Sequence, residues 1–262
     1  MTKIILITGS TDGIGLLTAK KLAAEGHKVL LHGRSASKLE RAAAEIGGDV
    51  ETYSADLSDL SAVRKLADNI RAKHDQLDVL INNAGVLKAP QTVLENGQDI
   101  RFVVNTLAPY LLTELLLPIM PADGRVVNLS SAAQAPVNIQ AMQGNVPLTD
   151  MDAYAQSKLA ITIWTLEWAK ALTDAPMMVA VNPGSLLASK MVQEGFGISG
   201  NDMNIGADIL TDAALGERFA GASGAYFDND SGDFADPHAA ARDKDHTAEV
   251  MNTIKTLISQ TG

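Results

Sequence analysis

The chain has 262 residues, 46% hydrophobic and 20% charged, enough apolar material for a sizeable core and too much for disorder. It contains no cysteine, which excludes disulfides, thiolate metal sites and cysteine nucleophiles together. The formal net charge of −10 argues against a general affinity for nucleic acid or anionic membrane surfaces. Much of this acidity is local, since Asp228, Asp230, Asp233, Asp236, Asp243, Asp245 and Glu249 are offset only by Arg242 and Lys244. The opening apolar run, residues 4–7, is too short for a membrane span and lacks the shape of a signal peptide. The longest later apolar stretch, 111–120, is interrupted by Glu114 and Pro118. No membrane partner and a cytoplasmic location are therefore expected.

In chain order, short apolar runs alternate with helical patterns. Strands are predicted at 3–8, 28–31, 50–55, 79–82, 125–129 and 177–181, with a further short one near 225–227. Helices are predicted at 14–25, 38–46, 61–73, about 98–117 and on to about 172 around Tyr154, with a terminal helix from about 247. Strands and helices alternating at this spacing imply βαβ units. The expected fold is α/β, a Rossmann-type doubly wound parallel sheet with helices on both faces. No repeat, low-complexity tract or linker appears, so residues 1–262 are read as one domain, with a loosely patterned substrate-binding region at about 185–225.

The turn after the first strand reads Thr8-Gly9-Ser10-Thr11-Asp12-Gly13-Ile14-Gly15. Glycines here permit a tight turn and let backbone approach a pyrophosphate at the N-terminus of the first helix. Without a Gly-Lys-Ser/Thr ending, it does not fit a Walker-type nucleotide loop. At the end of the second strand an NAD-type fold wants an acid to hold the ribose hydroxyl. The chain instead has His32-Gly33-Arg34-Ser35, and Arg34 suits a 2′-phosphate. NADP(H) is the preferred cofactor, with NAD(H) as the alternative; Asp12 would disfavour the phosphate if it faced it.

Tyr154 and Lys158 are four residues apart and so share one face of a helix. A fixed ammonium beside a phenol favours the phenolate, which would lower the tyrosine pKa and make it a proton donor and acceptor.

Taken together these residues resemble the short-chain dehydrogenase/reductase family over essentially the whole chain. The glycine turn looks like the family's Thr-Gly-x-x-x-Gly-x-Gly, and Asn82-Asn83-Ala84-Gly85 like its Asn-Asn-Ala-Gly. Asn105 falls at the family's helical asparagine and Ser130-Ser131 at its catalytic serine. Tyr154 to Lys158 match Tyr-x-x-x-Lys, and Pro183-Gly184 match the Pro-Gly after the sixth strand. The Arg34 pattern and the helix around 102–118 resemble the retinol-dehydrogenase-like and protochlorophyllide-reductase-like branch.

The resemblance implies hydride transfer between a nicotinamide and a carbonyl or alcohol carbon. Tyr154 would exchange the proton with the substrate oxygen, and Lys158 would hold the nicotinamide ribose and depress the tyrosine pKa. Ser131 would bond the substrate oxygen, and Asn105 would position a water linking Lys158 to solvent. Gly9, Ser10, Thr11, Asp12, Gly13, Ile14 and Gly15 would cradle the cofactor, with Arg34 and Ser35 at its phosphate. Asp56 and Leu57 would flank the adenine, Asn83, Ala84 and Gly85 would line the site, and Pro183, Gly184 and Leu186 would hold the carboxamide. It also implies a homodimer or homotetramer built on the helices near 102–118 and 153–172, a contact that the long segment before Tyr154 would obstruct.

The sequence departs from the family at Ala188, where a cofactor-contacting threonine is usual; Ser185 and Ser189 are the candidate replacements. Residues 132–148 contain no charge, and only Lys190 and Glu194 are charged between 184 and 200, so a neutral, apolar carbonyl compound or alcohol is the expected substrate. The stretch 228–233 is read as an acidic surface turn, because its glycine and closing position do not match a calcium loop. The five histidines show no metal-ligand spacing, so no metal is expected. Trp164 and Trp168 are read as packing or subunit-contact residues. NAD-dependent alcohol oxidation, reduction of an activated C=C bond and non-catalytic cofactor sensing stay open as alternatives.

Overall fold

A computed structural model describes residues 1–188 and 200–261 of the chain. In order these form β1 (Ile4–Ile7), α1 (Gly13–Ala24), β2 (Lys28–Gly33), α2 (Ala36–Ile46), β3 (Val50–Ser54), α3 (Leu60–Arg71) and β4 (Val79–Asn82). There follow α4 (Ile100–Ile119), β5 (Arg125–Leu129), the one-turn α5 (Ile139–Met142), α6 (Asp150–Ala171) and β6 (Met177–Asn182). The chain closes with α7 (Met203–Leu215), β7 (Ala225–Asp228), β8 (Asp233–Ala235) and α8 (Lys244–Ser259).

The eight strands make one sheet in the order β3-β2-β1-β4-β5-β6-β7-β8, parallel except for the β7–β8 hairpin. Its register explains the apolar strand sequences. Leu30, Leu6, Leu80, Val126 and Met178 pair across one row and bury on the face covered by α3, α4 and α6. One residue on, Leu31, Ile7, Ile81, Val127 and Val179 form the row that buries on the opposite face, against α1, α2 and α7. Both faces are dry, so the strands read as continuous apolar runs rather than alternating ones. The doubly wound parallel sheet is the expected fold.

Helix starts follow their caps. Ser35 accepts the Lys38 N–H, so α2 opens at Ala36; Asp243 accepts from Asp245 and His246, so α8 opens at Lys244, ahead of its expected start. β8 was not anticipated. It is three residues long, carries Asp233, and turns the acidic stretch at 228–233 into the connection of a hairpin.

α4 is long and apolar enough by length and composition to cross a membrane, yet 72% of its apolar window is buried inside the fold. It runs through Pro109, as predicted, and tightens into a 3-10 turn, Leu117–Ile119, at Pro118, close to its predicted end. Pro109 has no N–H for the Asn105 carbonyl, and the preceding turn, Val103–Leu107, widens to a π-helix in which Ala108 N–H reaches the Val103 carbonyl.

Every residue of α6 from Gln156 to Leu166 is buried, which over three turns leaves no free face. Trp164 lies 5.7 Å from Tyr110 of α4 and Trp168 lies 4.4 Å from it, ring centre to ring centre. α8 packs on α5 and α6. The face on which a helix-pair dimer was expected is thus occupied by this chain's own α5 segment and C-terminal helix.

Candidate active site

Strand order reverses between β1 and β4, and a cleft of about 680 Å³ opens beyond the carboxyl ends of the strands at that point. Its floor is the glycine turn. Gly13 takes φ +57°, and a Cβ on Gly15 would stand 2.4 Å from Asn83 Nδ2 and 2.5 Å from the Gly9 carbonyl. The turn therefore admits no side chain at either position. Asp12 caps α1 by accepting the Gly13 N–H at 2.8 Å, while the N–H groups of Ile14 and Gly15 have no acceptor within the helix and line the cleft. A bare backbone cradle with free N–H groups and the positive end of a helix fits a dinucleotide pyrophosphate.

Two partners hold the cradle. Asn83 Nδ2 donates to the carbonyls of Thr8 (2.8 Å) and Gly9 (3.0 Å), and Ala84 N–H donates to Thr8 Oγ1 at 3.0 Å. On the other side His32 Nδ1 accepts the Gly9 N–H at 3.2 Å, and Nε2 sits 3.2 Å from the Ala55 carbonyl. That arrangement requires the neutral ring with its proton on Nε2, and burial pushes the His32 pKa down to about 4. A folded value below the unfolded 6.5 gives stability that is complete above about pH 6.5 and lost as pH falls toward 4. We expect unfolding titrations to show about 3 kcal/mol of acid-dependent destabilisation across that window. His32→Gln should flatten this slope; an unchanged slope would refute the assignment.

At the opposite end α6 brings Tyr154 and Lys158 under β5. Lys158 is buried, donates from Nζ to the Leu129 carbonyl at 2.7 Å, and lies 5.6 Å from the centre of the Tyr154 ring. Burial lowers its pKa to about 8. Burial also pushes the Tyr154 phenol up, with only the neighbouring Ser131 hydroxyl drawing it back. This corrects the expectation that Lys158 depresses the tyrosine: desolvation of the phenolate outweighs an ammonium turned toward a backbone carbonyl. The main chain of Ser131 is fixed through its carbonyl, which accepts from Gln134 Nε2 at 2.9 Å and from the Tyr226 hydroxyl at 3.1 Å.

Most of the anticipated site residues line this cleft: Gly9, Thr11 to Gly15, Arg34, Asp56, Leu57, Asn83 to Gly85, Ser131, Tyr154, Lys158, Pro183, Gly184 and Leu186. Three do not. Ser10 is fully buried and exchanges bonds with the His32 backbone, accepting its N–H at 2.9 Å. Ser35 is the cap of α2. Asn105 is buried behind the wall: its Oδ1 accepts the Val86 N–H, and its Nδ2 donates to the Val86 carbonyl and to Ser157 Oγ. It clasps the loop after β4 to α6. Ser189 lies outside the described residues, as do Lys190 and Glu194. Ser185 lines the cleft.

A profile of the short chain dehydrogenase family matches residues 3–196. The chain belongs to the short-chain dehydrogenase/reductase family. It is 33% identical over 258 residues to retinol dehydrogenase 13 of Homo sapiens, a match covering 86% of this chain and 76% of that protein. It superposes with a TM-score of 0.81 and 30% identity on the crystal structure of an uncharacterised protein from Mycobacterium Paratuberculosis, covering 98% of this chain and 93% of the other. A metagenomic short-chain oxidoreductase in complex with NADP matches with a TM-score of 0.63 and 30% identity over 81% of this chain and 90% of its own. As a member of the family and a relative of retinol dehydrogenases, the protein is an NAD(P)-dependent dehydrogenase/reductase.

Sequence reading missed several lining residues of this family site. Lys38 reaches the cleft one helical turn after Arg34, a spacing that was visible in the sequence. Lys88, Met151 and Val104 also line it, from the loop after β4, from α6 and from α4, segments that only the tertiary fold brings together.

Proposed function

We propose that the protein is an NADP(H)-dependent reductase of neutral, largely apolar carbonyl compounds, with Tyr154 as the proton donor. The observation that carries the cofactor choice is the lip of the cleft at the end of β2. Arg34 and Lys38 both line it, while the two nearby carboxylates are committed elsewhere. Asp12 caps α1, and Asp56 accepts from the backbone and hydroxyl of Ser58 at 2.9 and 2.8 Å. Two cations at this lip suit a 2′-phosphate, and both carboxylates of the cleft are already turned to hydrogen bonds of their own.

Bound in this cradle, the nicotinamide cofactor would supply the hydride. The chain's own residues would manage the oxygen. Tyr154, protonated at neutral pH, would give its proton to an oxygen gaining negative charge. Ser131 would donate a second hydrogen bond to the same oxygen, and Lys158 would place a positive charge beneath it. Val86, Leu87, Ala133, Met151 and Leu187 line the cleft with apolar surface on this side, which supports an apolar substrate body. Lys88 is the charged exception, and its exposed position at the rim leaves the apolar wall intact.

The test is absorbance loss of NADPH and NADH, side by side, against neutral aldehydes, ketones and quinones. Turnover is expected with NADPH; reduction only of C=C bonds, or turnover only with NADH, would overturn the reading. Arg34→Ala should weaken NADPH binding by about tenfold and leave NADH binding nearly unchanged. Equal losses for both cofactors would remove Arg34 from the phosphate.

A further inference from the structure

The acidic stretch at 228–233 has a use in the fold that its surface position conceals. The chain leaves β6 at Asn182 and passes through Pro183, Gly184, Ser185 and Leu186, which wall the cleft across from the glycine turn. This wall lies beyond the end of β6 and is strained, with Gly184 at φ +121° and Leu186, which has a side chain, at φ +53°. Asn201 ties its far end, its N–H donating to the Leu186 carbonyl at 2.6 Å and its Nδ2 to the Ser185 carbonyl at 3.1 Å, and leaves the end nearer β6 to be fixed by other contacts.

The β7–β8 hairpin supplies them. Asp230 accepts three hydrogen bonds: from Ser185 N–H at 2.7 Å, from Ser185 Oγ at 2.5 Å and from Asn182 Nδ2 at 2.9 Å. Buried Asn182 also donates to Asp228 at 2.7 Å and accepts the Gly184 N–H at 3.3 Å. Between the two acids, Asn229 donates from its side chain to the Pro183 carbonyl at 3.0 Å and from its backbone to the Asn182 carbonyl at 3.1 Å. Three successive residues of the hairpin thus take up polar groups of Asn182, Pro183 and Ser185. Donors surrounding Asp230 hold its carboxyl below the usual carboxylate range, so it meets them as an anion.

We propose that Asp230 is a positioning residue whose carboxylate sets the Pro183–Leu186 wall in the shape that receives the nicotinamide half of the cofactor. The inference rests on the NADP(H) reading above and goes beyond it by making the fit of one half of that cofactor depend on a hairpin remote in sequence. The adenosine half would be held at Arg34 and Lys38, and should not sense the hairpin.

That separation supplies the test. Binding of NADPH and of adenosine 2′,5′-bisphosphate, which has no nicotinamide, is measured by calorimetry on wild type, Asp230→Ala, Ser185→Ala and the double variant. Asp230→Ala should weaken NADPH by about tenfold and leave the bisphosphate unchanged. Ser185→Ala should weaken NADPH less, and the double variant no more than Asp230→Ala alone, because the two side chains share a bond. Retained bisphosphate binding also reports that the variants are folded, and Ser185→Ala tests the contact independently of the acid. NADPH affinity unchanged in Asp230→Ala, or an equal loss for both ligands, would overturn the positioning role. Wild-type protein that binds neither ligand would overturn the cofactor reading, and the role of Asp230 with it, and is recognised without any variant.

Discussion

Tyr154→Phe should reduce NADPH-dependent turnover of a carbonyl substrate by about a thousandfold while leaving NADPH binding within a factor of about two. The ring stays, so the packing of α6 against β5 stays, and Lys158 keeps its bond to the Leu129 carbonyl. Only the hydroxyl goes, and with it the one proton in the cleft held by burial next to Ser131. General acid catalysis contributes to the reacting step and not to the bound cofactor, so the loss belongs in kcat. Steady-state kinetics alongside calorimetric binding separates the two. A variant retaining a tenth or more of wild-type turnover would show that the proton comes from elsewhere, and a parallel loss of NADPH binding would show that the hydroxyl holds the cofactor.

The same cleft shows where sequence is informative. Elements were legible because strand burial on both faces writes itself as unbroken apolar runs, as at Ile4–Ile7 and Val79–Asn82, whereas the caps Asp12 and Ser35 were read as cofactor residues and α2 was placed two residues late. Tyr154 and Lys158 were legible because one helical turn fixes their neighbourhood. The glycine turn was legible because its glycines are demanded locally, by φ and by the approach of Asn83. Side-chain direction was not. Ser10, Ser35 and Asn105 occupy the right stretches of chain and point away from the cleft, into a backbone clasp, a helix cap and a loop tie. Ionisation was not legible either, because the Tyr154 pKa is set by how much water the fold removes and not by the spacing to Lys158. Contacts made across sequence, from Asp230 to Ser185 or from His32 to Gly9, leave no periodic trace in either partner.

The largest expected effect on stability lies in another such contact. Arg101, at the start of α4, is 2% exposed and gives two hydrogen bonds to Asp99, from Nε at 2.7 Å and from an amino group at 2.5 Å. A second amino group meets Asp150 in the first turn of α6 and lies 3.4 Å from the Leu87 carbonyl on the cleft wall. One guanidinium therefore joins three segments: the N-terminus of α4, the N-terminus of the Tyr154 helix and the loop after β4. Asp99 is itself largely enclosed and pairs with this guanidinium. Removing one member of a buried pair leaves the other uncompensated, which costs far more than the intact pair contributes. Arg101→Met, which fills the same space without charge, should lower the free energy of unfolding in urea by about 3 kcal/mol. Arg101→Met combined with Asp99→Asn should recover a substantial part, since the side chain at 99 still accepts the backbone N–H of residue 101 and carries no stranded charge. A single-variant loss below about 1 kcal/mol would place the pair among exposed ion pairs of little worth. If the stability falls as expected but turnover measured well below the melting temperature stays at the wild-type level, the junction holds the fold together without setting the position of Tyr154. If turnover falls too, and the double variant restores stability without restoring rate, the guanidinium is what aligns the N-terminus of α6 with the cleft.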